Sequence, residues 1–451
     1  MGGSSVTPLE SFNNIPFLLA YANSKLVFYV ADCLNPTVNT QVGDLERIPF
    51  IIPPKELEET ISTLAQQNIN IKKQLCSYSI VETNFENTPL SIFKDNSLRE
   101  KVLSYINYEN AQLTQVLLNE AIINELIFDV YKLSAEDRAQ VEAQMGKPVG
   151  ELPVLAAAKQ AFLEDIEIEN ETVKTFIESL ETVELETDEI HRIKADFATL
   201  YQSNNDLEEF CIKNKLNPIN VWYWFEEAQT LPQGRAHDIA WEFLADAFRS
   251  LLTEDEDGII PLVGLPDEPK LLDRFEQYCL DKGFSSAQFS QLDTLLGRPV
   301  NEYIEHYFFQ KFSDHLNLFM YLPKTPFIWH LSSGEHQGFE AYILIYKWNR
   351  DSLFKLKTQY LSKRQENLEY RQIQLADSNS AQAQNEKETI RLQLQEITEF
   401  TLKIDGLIAD GYDPKLDDGV GKNIAPLQKK GLLRSEVLNK KQLDKYLNAD
   451  W

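Results

Sequence analysis

A seven-residue repeat of apolar side chains constrains this chain more than any other feature of its sequence. Two such series stand on either side of the polar segment 377–380: Phe354, Leu361, Leu368 and Leu375, then Ile390, Ile397 and Ile404. This period is typical of helices that pack side by side along an apolar seam. The pattern therefore predicts a helical hairpin packed as an antiparallel coiled coil. We interpret it as a rigid spacer, and an oligomerisation zipper is the alternative.

Other segments are also helical in their apolar periodicity. Residues 98–133 place apolar side chains mostly at three- and four-residue steps, which predicts one long helix with a buried face. From residue 134 to 319, Gly, Pro and Asn residues separate successive helical segments. Two apolar segments, 326–331 and 339–348, flank a turn with two glycines and predict a β-hairpin. The predicted fold class is mainly α with small β elements: a multi-helical domain plus an antiparallel coiled-coil helical hairpin.

The beginning of the chain is predicted to hold shorter elements. Residues 17–30 have helical spacing. Residues 44–52 are predicted as a short extended segment that Pro53-Pro54 closes, because two prolines fit neither a helix interior nor a central strand. A further helix is predicted to begin near Lys55 and to end at about Gln67.

The charge balance restricts which partners the chain can bind. Its 43 basic and 70 acidic residues give a net charge of −27, which argues against a free-standing, nonspecific nucleic-acid coat. After residue 412 the basic residues locally outnumber the acidic ones: Lys415, Lys422, Lys429, Lys430, Arg434, Lys440, Lys441 and Lys445. We expect this basic tail to be the place where a phosphate backbone is attracted.

Cysteine usage and apolar stretches bear on the compartment. The four cysteines are scattered and form no C-x-x-C pair, so they are predicted to be reduced thiols in a cytoplasmic protein. The first residues do not follow a signal-peptide pattern, and the most apolar early stretch, residues 15–31, is too polar for a membrane span. We therefore expect no contact with a membrane.

The chain lacks the two sequence motifs that a DNA base methyltransferase needs. A methyltransferase that acts on a base amino group needs an Asn or Asp, two prolines and an aromatic in one loop. The Pro53-Pro54 pair instead stands between Ile52 and Lys55. No glycine-rich turn for a nucleoside cofactor follows a strand. No catalytic or cofactor-binding residue is predicted.

Phosphate-loop and metal motifs are also incomplete. The segment 419–422, Gly-Val-Gly-Lys, lacks the first glycine and the Ser or Thr of a phosphate loop. His330 and His336 flank the predicted hairpin turn without an obvious third ligand for a metal ion. No metal-binding residue is predicted.

Three stretches, taken in order, resemble one family of enzymes. They are residues 34–45 with Ile48-Pro49, residues 329–334 with Gly338, Phe339 and Tyr346, and residues 416–420 with Asn423 and Pro426. Together they resemble the carboxyl-terminal half of large adenine-specific DNA methyltransferases. These include type IIG restriction–modification enzymes and the methyltransferases of bacteriophage-exclusion (BREX-type) systems. The resemblance spans nearly the whole chain.

The resemblance implies a DNA-related function without catalysis by this chain. In that family the catalytic domain, which uses S-adenosylmethionine, comes first and a target-recognition region follows. The chain is thus similar to a truncated, non-catalytic recognition and spacer portion, with no cofactor of its own. Its expected partners are DNA and a separate methyltransferase subunit or other phage-defence proteins; a remnant is the further possibility. The alternative is an acidic helical adaptor that binds protein and never contacts DNA.

The residue patterns and the resemblance together suggest a division of the chain. Residues 1–54 resemble the end of a target-recognition region, and residues 55–133 are predicted to form long spacer helices. Residues 134–349 are predicted as a helical domain with a β-hairpin near 326–348. The coiled-coil hairpin covers residues 350–410, and the basic tail covers residues 411–451. Polar residues alternate after residue 34, where they either contact phosphate or hold the neighbouring backbone. With four basic residues of the tail they are the predicted DNA-binding set: Asn35, Thr37, Asn39, Gln41, Lys422, Lys429, Lys430 and Arg434.

Overall fold

The computed structural model describes residues 12–35, 42–201, 206–316 and 324–449. These residues are mainly helical with a small antiparallel sheet, which confirms the predicted fold class. They belong to two compact units, Met1–Ala236 and His237–Trp451. The division between the units lies inside the segment 134–349 that the sequence suggested as one domain. The assignment of functional segments stays a prediction.

The first unit is built from α-helices joined by short loops. They are α1 (Ile15–Ala22), α2 (Lys25–Leu34), α3 (Val42–Leu45), α4 (Lys55–Cys76), α5 (Pro89–Ile92), α6 (Leu98–Tyr131), α7 (Ala135–Met145), α8 (Ala156–Asp165), α9 (Glu171–Ser179), α10 (Thr187–Ala195), α11 (Asp206–Asn214) and α12 (Pro218–Ala228). Short 3₁₀ helices cover Val149–Glu151 and Asp196–Thr199, and α13 (Gln233–Glu254) begins at the end of this unit.

The long helix predicted over residues 98–133 is confirmed as α6. It begins at a capping box in which Ser97 and Glu100 each accept a hydrogen bond from the other residue's backbone N–H. It ends where Lys132 adopts a left-handed conformation, with φ at 52°. Fully buried side chains such as Leu118 and Phe128 place α6 in the core of this unit.

The beginning of the chain differs from its prediction. Residues 17–30, predicted as one helix, belong to two, because the Ser24 hydroxyl caps α2 by accepting from the N–H of Val27. The predicted extended segment 44–52 was wrong at its start, since α3 includes residues 44 and 45. The helix from Lys55 continues past Gln67 to Cys76 as α4.

None of the described helices alone combines the length and apolar character that a membrane crossing requires. The helices α1 and α2, which meet at a bend of 58°, reach that standard only as a pair and only by length and composition.

The second unit combines helices with the sheet. Its helices after α13 are α14 (Leu271–Asp281), α15 (Ser286–Leu296), α16 (Val300–His306), α17 (Phe308–His315), α18 (Arg350–Lys355), α19 (Ser362–Gln374), α20 (Ala381–Ala409), α21 (Gly419–Lys429) and α22 (Lys440–Leu447). A π-helical turn covers Leu356–Leu361 and a 3₁₀ helix covers Leu416–Asp418. The strands are β1 (Ile259–Pro261), β2 (Ile328–Ser332) and β3 (Glu340–Leu344).

The sheet has the strand order β1-β3-β2, and both pairings are antiparallel. The predicted hairpin is confirmed as β2 and β3, in a register that places Ile328 opposite Leu344 and Ser332 opposite Glu340. The short strand β1 was not foreseen. All three strands are buried along their length, so the sheet lies inside this unit.

The heptad region forms a helical hairpin of α19 and α20, while the supercoil of a true coiled coil stays a prediction. Leu361, Leu368 and Ile397 of the two series are buried, but Phe354 is 44% exposed. The π-helical turn follows Phe354, includes Leu361, and has one residue more per turn than an α-helix. The apolar face therefore changes phase, and Leu353 and Leu356 are buried instead.

Candidate nucleic-acid interface

The alternating polar segment can be followed only at its first residue. Asn35 ends α2, and its backbone N–H donates to the carbonyl of Ala31 over 2.9 Å. Its side-chain amide donates to Oδ2 of Asp44 over 2.8 Å. Thr37, Asn39 and Gln41 lie outside the described residues. The Asn35 amide therefore has a partner in the local fold, and its contact with DNA stays a prediction.

Helices α21 and α22 carry several exposed lysines of the basic tail. Four of them are exposed and make no ion pair with the described residues: Lys429, Lys440, Lys441 and Lys445. Lys422 instead pairs with Asp418 at 3.4 Å, and Lys430 pairs with Asp410 at 2.8 Å. Of the tail residues predicted to bind DNA, Lys429 is thus the one presented to solvent without a carboxylate partner.

Arg434 has a structural position. Its Nη1 donates to Oε1 of Glu340 over 3.2 Å, and its Nη2 lies 2.7 Å from Nδ1 of His306. Its backbone N–H donates to the carbonyl of His330 over 3.0 Å, and the N–H of Ser332 donates to the carbonyl of Leu432 over 2.9 Å. The segment after α21 therefore pairs with the free edge of β2, and Arg434 neutralises a carboxylate inside the unit.

That carboxylate belongs to a buried polar centre on the sheet. Glu340 and His330 have side chains only 1% exposed, and Nε2 of His330 lies 3.4 Å from Oε2 of Glu340. The hydroxyl of Ser332 donates to Oε1 of Glu340 over 2.8 Å. The sequence suggested His330 only as a candidate metal ligand, and its partner Glu340 was not predicted. The available signal was a glutamate at the start of an otherwise apolar strand.

We expect His330 to make the protein less stable in acid. Burial lowers the pKa of its imidazole below the usual 6.5; contact with Glu340 opposes this effect, and Arg434 and His306 reinforce it. As the pH falls, His330 therefore binds a proton more readily in the unfolded chain than in the folded chain. The contribution of neutral His330 to the free energy of unfolding is fully present above about pH 6.5. It declines as the pH falls toward the pKa of the folded state, by at most about 1.4 kcal/mol per pH unit.

The measurement is urea unfolding of the wild type and of His330→Gln at several pH values. The stability difference between the two proteins should shrink as the pH falls below about 6.5. A difference that is constant, or that grows in acid, contradicts the prediction.

The turn between β2 and β3 is held by a carboxylate from α20. Oε2 of Glu396 accepts from the N–H of Gly338 over 3.0 Å and from the hydroxyl of Ser333 over 3.1 Å, and Oε1 accepts from the N–H of His336 over 2.8 Å. Gly334 has a φ of 154°, and a Cβ there would collide with the same carboxylate. The glycines of this turn thus let a backbone and a helix approach closely.

Residues of two resemblance stretches line one cavity of about 210 Å³ at the start of α21, among them Trp329, Tyr346, Leu416, Gly419 and Asn423. The polar groups inside it already have partners. The side-chain Oδ1 of Asn423 accepts from the backbone N–H of Lys415 over 2.9 Å, and the indole N–H of Trp329 donates to the carbonyl of Pro326 over 2.9 Å. Tyr346 is 61% exposed at the rim. These motif residues therefore stabilise their own segments, Trp329 by bonding Pro326 and Asn423 by bonding Lys415.

One carboxylate cluster among the described residues has the spacing of a metal site. Oxygens of Glu125, Glu142 and Glu151 lie within 4.8 Å of one another, and burial raises the pKa of Glu151 to about 7. However, Arg138 pairs with Glu125 at 2.5 Å and Lys147 lies 3.8 Å from Glu142. These cations already balance most of the cluster's charge, so the group can be explained without a metal ion.

Comparison with known proteins places the chain near one class of enzyme. No protein-family profile matches it. The adenine-specific methyltransferase PglX of Lacticaseibacillus casei (strain Zhang) is 29% identical over 181 residues, which cover 36% of this chain and 15% of PglX. The adenine-specific methyltransferase BrxX of Escherichia coli O9:H4 (strain HS) is 21% identical over 439 residues, which cover 90% of this chain and 32% of BrxX.

The chain is therefore a distant relative of adenine-specific methyltransferases, and it spans about a third or less of the length of these two proteins.

Proposed function

We propose that this chain is a non-catalytic DNA-recognition and spacer portion that works with an adenine-N6 DNA methyltransferase of a phage-defence or restriction–modification system. The observation that carries the proposal is the extent of the similarity to BrxX, which covers 90% of this chain but only 32% of that methyltransferase. A long similarity confined to a fraction of an enzyme is what a portion of it would give. S-adenosylmethionine and the base-binding loop would then belong to a separate catalytic part.

The long helices support the spacer role. The 34 residues of α6 span about 50 Å, and the 29 residues of α20 span about 45 Å. A bidentate ion pair joins the two arms of the hairpin, with Nε of Arg371 2.6 Å from Oε1 of Glu386. In the proposed role, helices of this length set the distance between bound partners.

The exposed lysines of α21 and α22 support the DNA contact. The net charge of −27 repels a duplex at long range, so binding needs a local concentration of cations. Lys429, Lys440, Lys441 and Lys445 provide it, since no described carboxylate neutralises them. Contacts of this kind position a protein on the phosphate backbone without reading sequence.

Replacing Lys440 and Lys441 together with glutamine should weaken binding to duplex DNA and reduce its salt dependence. Each lost phosphate contact lowers the slope of log K against log salt by about 1. Fluorescence anisotropy with a labelled duplex over a salt series measures both quantities. The matched control is Lys94→Gln with Lys174→Gln, two exposed lysines of the first unit. Wild-type protein that does not bind duplex even at low salt would favour the acidic adaptor.

The purified chain with S-adenosylmethionine and duplex DNA should transfer no methyl group, because the proposal places the cofactor and the base-binding loop elsewhere. Incorporation of a labelled methyl group into DNA is the measurement. Adding a catalytic portion of a related methyltransferase, with and without this chain, tests the partnership. Methyl transfer by this chain alone would refute the proposal.

A further inference from the structure

A groove of about 590 Å³ in the first unit has no role in the function proposed above. It lies between α4, α6 and the segment that joins α8 to α9. Trp222 and Val173 form its buried floor, and both are at most 3% exposed. The groove is formed entirely by residues of one unit.

One wall of the groove is the segment 166–170, which belongs to no helix or sheet among the described residues. Ile166 and Asn170, at its two ends, have extended φ and ψ angles of −104°, 125° and −97°, 114°. The backbone N–H and C=O groups of Glu167, Ile168 and Glu169 make no hydrogen bond to the described residues. Such a segment presents unpaired donors and acceptors in the arrangement that another extended chain can complement.

The groove's α4 and α6 lining presents carboxamides without partners. Gln67 on α4 and Asn107 and Gln112 on α6 line the groove, are half-buried, and make no hydrogen bond to the described residues. A carboxamide offers one N–H donor face and one carbonyl acceptor, which is the same pair of groups that a peptide bond offers. An extended backbone in the groove would thus find partners on both sides.

The negative charge around the groove favours a positively charged binding partner. Four exposed carboxylates line it, from Asp165, Glu167, Glu169 and Glu226, and no Lys or Arg is among its lining residues. This charge repels phosphate and attracts cations. The segments of this chain outside the described residues contain no Lys or Arg, so none of them supplies the cation.

We propose that the groove binds an extended segment of a partner protein that carries Lys or Arg at alternate positions. The segment adds as a strand along residues 167–169, its backbone also bonds the carboxamides of Gln67, Asn107 and Gln112, and its cations meet the acidic rim. This inference is independent of the proposed DNA function.

The probe is a fluorescent peptide of about nine residues that alternates lysine and threonine, long enough to pair with the wall. A second probe of equal charge carries N-methyl groups on alternate peptide bonds, which removes backbone donors. The wild-type chain should bind the first peptide about tenfold or more tightly than the second, since several hydrogen bonds are lost. Binding is measured by fluorescence anisotropy at physiological salt.

Two variants test the groove itself. Asn107→Leu with Gln112→Met keeps size and charge and should weaken binding about tenfold. Glu167→Lys with Glu169→Lys should abolish it, without changing any core residue. The matched controls are Asn385→Leu with Gln382→Met, two exposed carboxamides of the second unit, and Glu184→Lys on the first unit; each should bind as the wild type does.

Three results would overturn the inference. Binding that is insensitive to N-methylation or to the groove variants would show nonspecific attraction of a cationic peptide to an acidic protein. The absence of binding at physiological salt would show that the groove is not a peptide site. Displacement of the peptide by duplex DNA, with loss of DNA binding in the Asn107→Leu/Gln112→Met variant, would assign the groove to nucleic acid.

Discussion

Replacing Arg434 with methionine is expected to lower the free energy of unfolding by about 3–5 kcal/mol, the usual cost of leaving a buried charge without its partner. Methionine keeps much of the length of the arginine stem but removes the cation that neutralises Glu340 at 3.2 Å. Glu340 is 0% exposed, so water cannot replace the lost partner. Urea unfolding near pH 7, followed by near-ultraviolet circular dichroism, measures the change.

Two further variants separate this explanation from a loss of surface charge. Lys429→Met removes an exposed tail cation and should change stability by less than about 0.5 kcal/mol. Adding Glu340→Gln to Arg434→Met should restore part of the stability, because a neutral amide no longer needs the guanidinium and can still accept from Ser332. If Arg434→Met unfolds like the wild type but loses DNA binding, Arg434 is a DNA contact and its structural role is refuted.

The pair of Arg434 and Glu340 shows where the sequence stops being informative. The two residues are 94 positions apart, and Arg434 stood in a run of lysines that share its charge. Nothing local distinguishes a cation that will meet a buried carboxylate from cations that remain in solvent. Only the pairing of residues 432–434 with the edge of β2 separates them, and that pairing is long-range.

Elements defined by local periodicity and capping were predictable. The helix α6 follows from its three- and four-residue apolar steps, and the β2–β3 hairpin follows from two apolar segments around a glycine-containing turn. The seven-residue series failed at Phe354 because a π-helical turn changes the helical phase without leaving a mark in residue spacing. Local capping divided the first helix at Ser24, a serine that the periodicity alone passed over.

The groove of the first unit was invisible to motif analysis for a physical reason. Its distinguishing property is the lack of hydrogen bonds to described residues at the side chains of Gln67, Asn107 and Gln112 and along the backbone of residues 167–169. Carboxamides at these positions look like ordinary polar residues of helices. Whether a polar group has a partner depends on the tertiary neighbours, which a sequence does not state.

Replacing Gly338 with alanine is expected to lower the free energy of unfolding by about 1–3 kcal/mol, the usual cost of overpacking. A Cβ on this residue would stand 2.6 Å from the backbone carbonyl of Gln393 and 3.1 Å from Cβ of Glu396, both on α20. A backbone atom of a helix cannot move aside as a flexible side chain does. The turn must therefore withdraw from α20 and lose hydrogen bonds to the Glu396 carboxylate. Thermal unfolding of the variant measures the effect.

The matched control is Gly264→Ala in the same unit, where the nearest atom to a new Cβ is Cε of Lys270 at 3.6 Å, an ordinary contact with a flexible side chain. This variant should stay within about 0.5 kcal/mol of the wild type. Glu396→Gln separates the two causes, because it weakens the hydrogen bonds to the turn without adding volume. If Gly338→Ala costs no more than Gly264→Ala, the close approach of turn and helix is not what requires glycine at position 338. If it costs more than Glu396→Gln, the steric contact with Gln393 outweighs the loss of the carboxylate's bonds, and glycine at 338 is required by packing of the sheet against the hairpin.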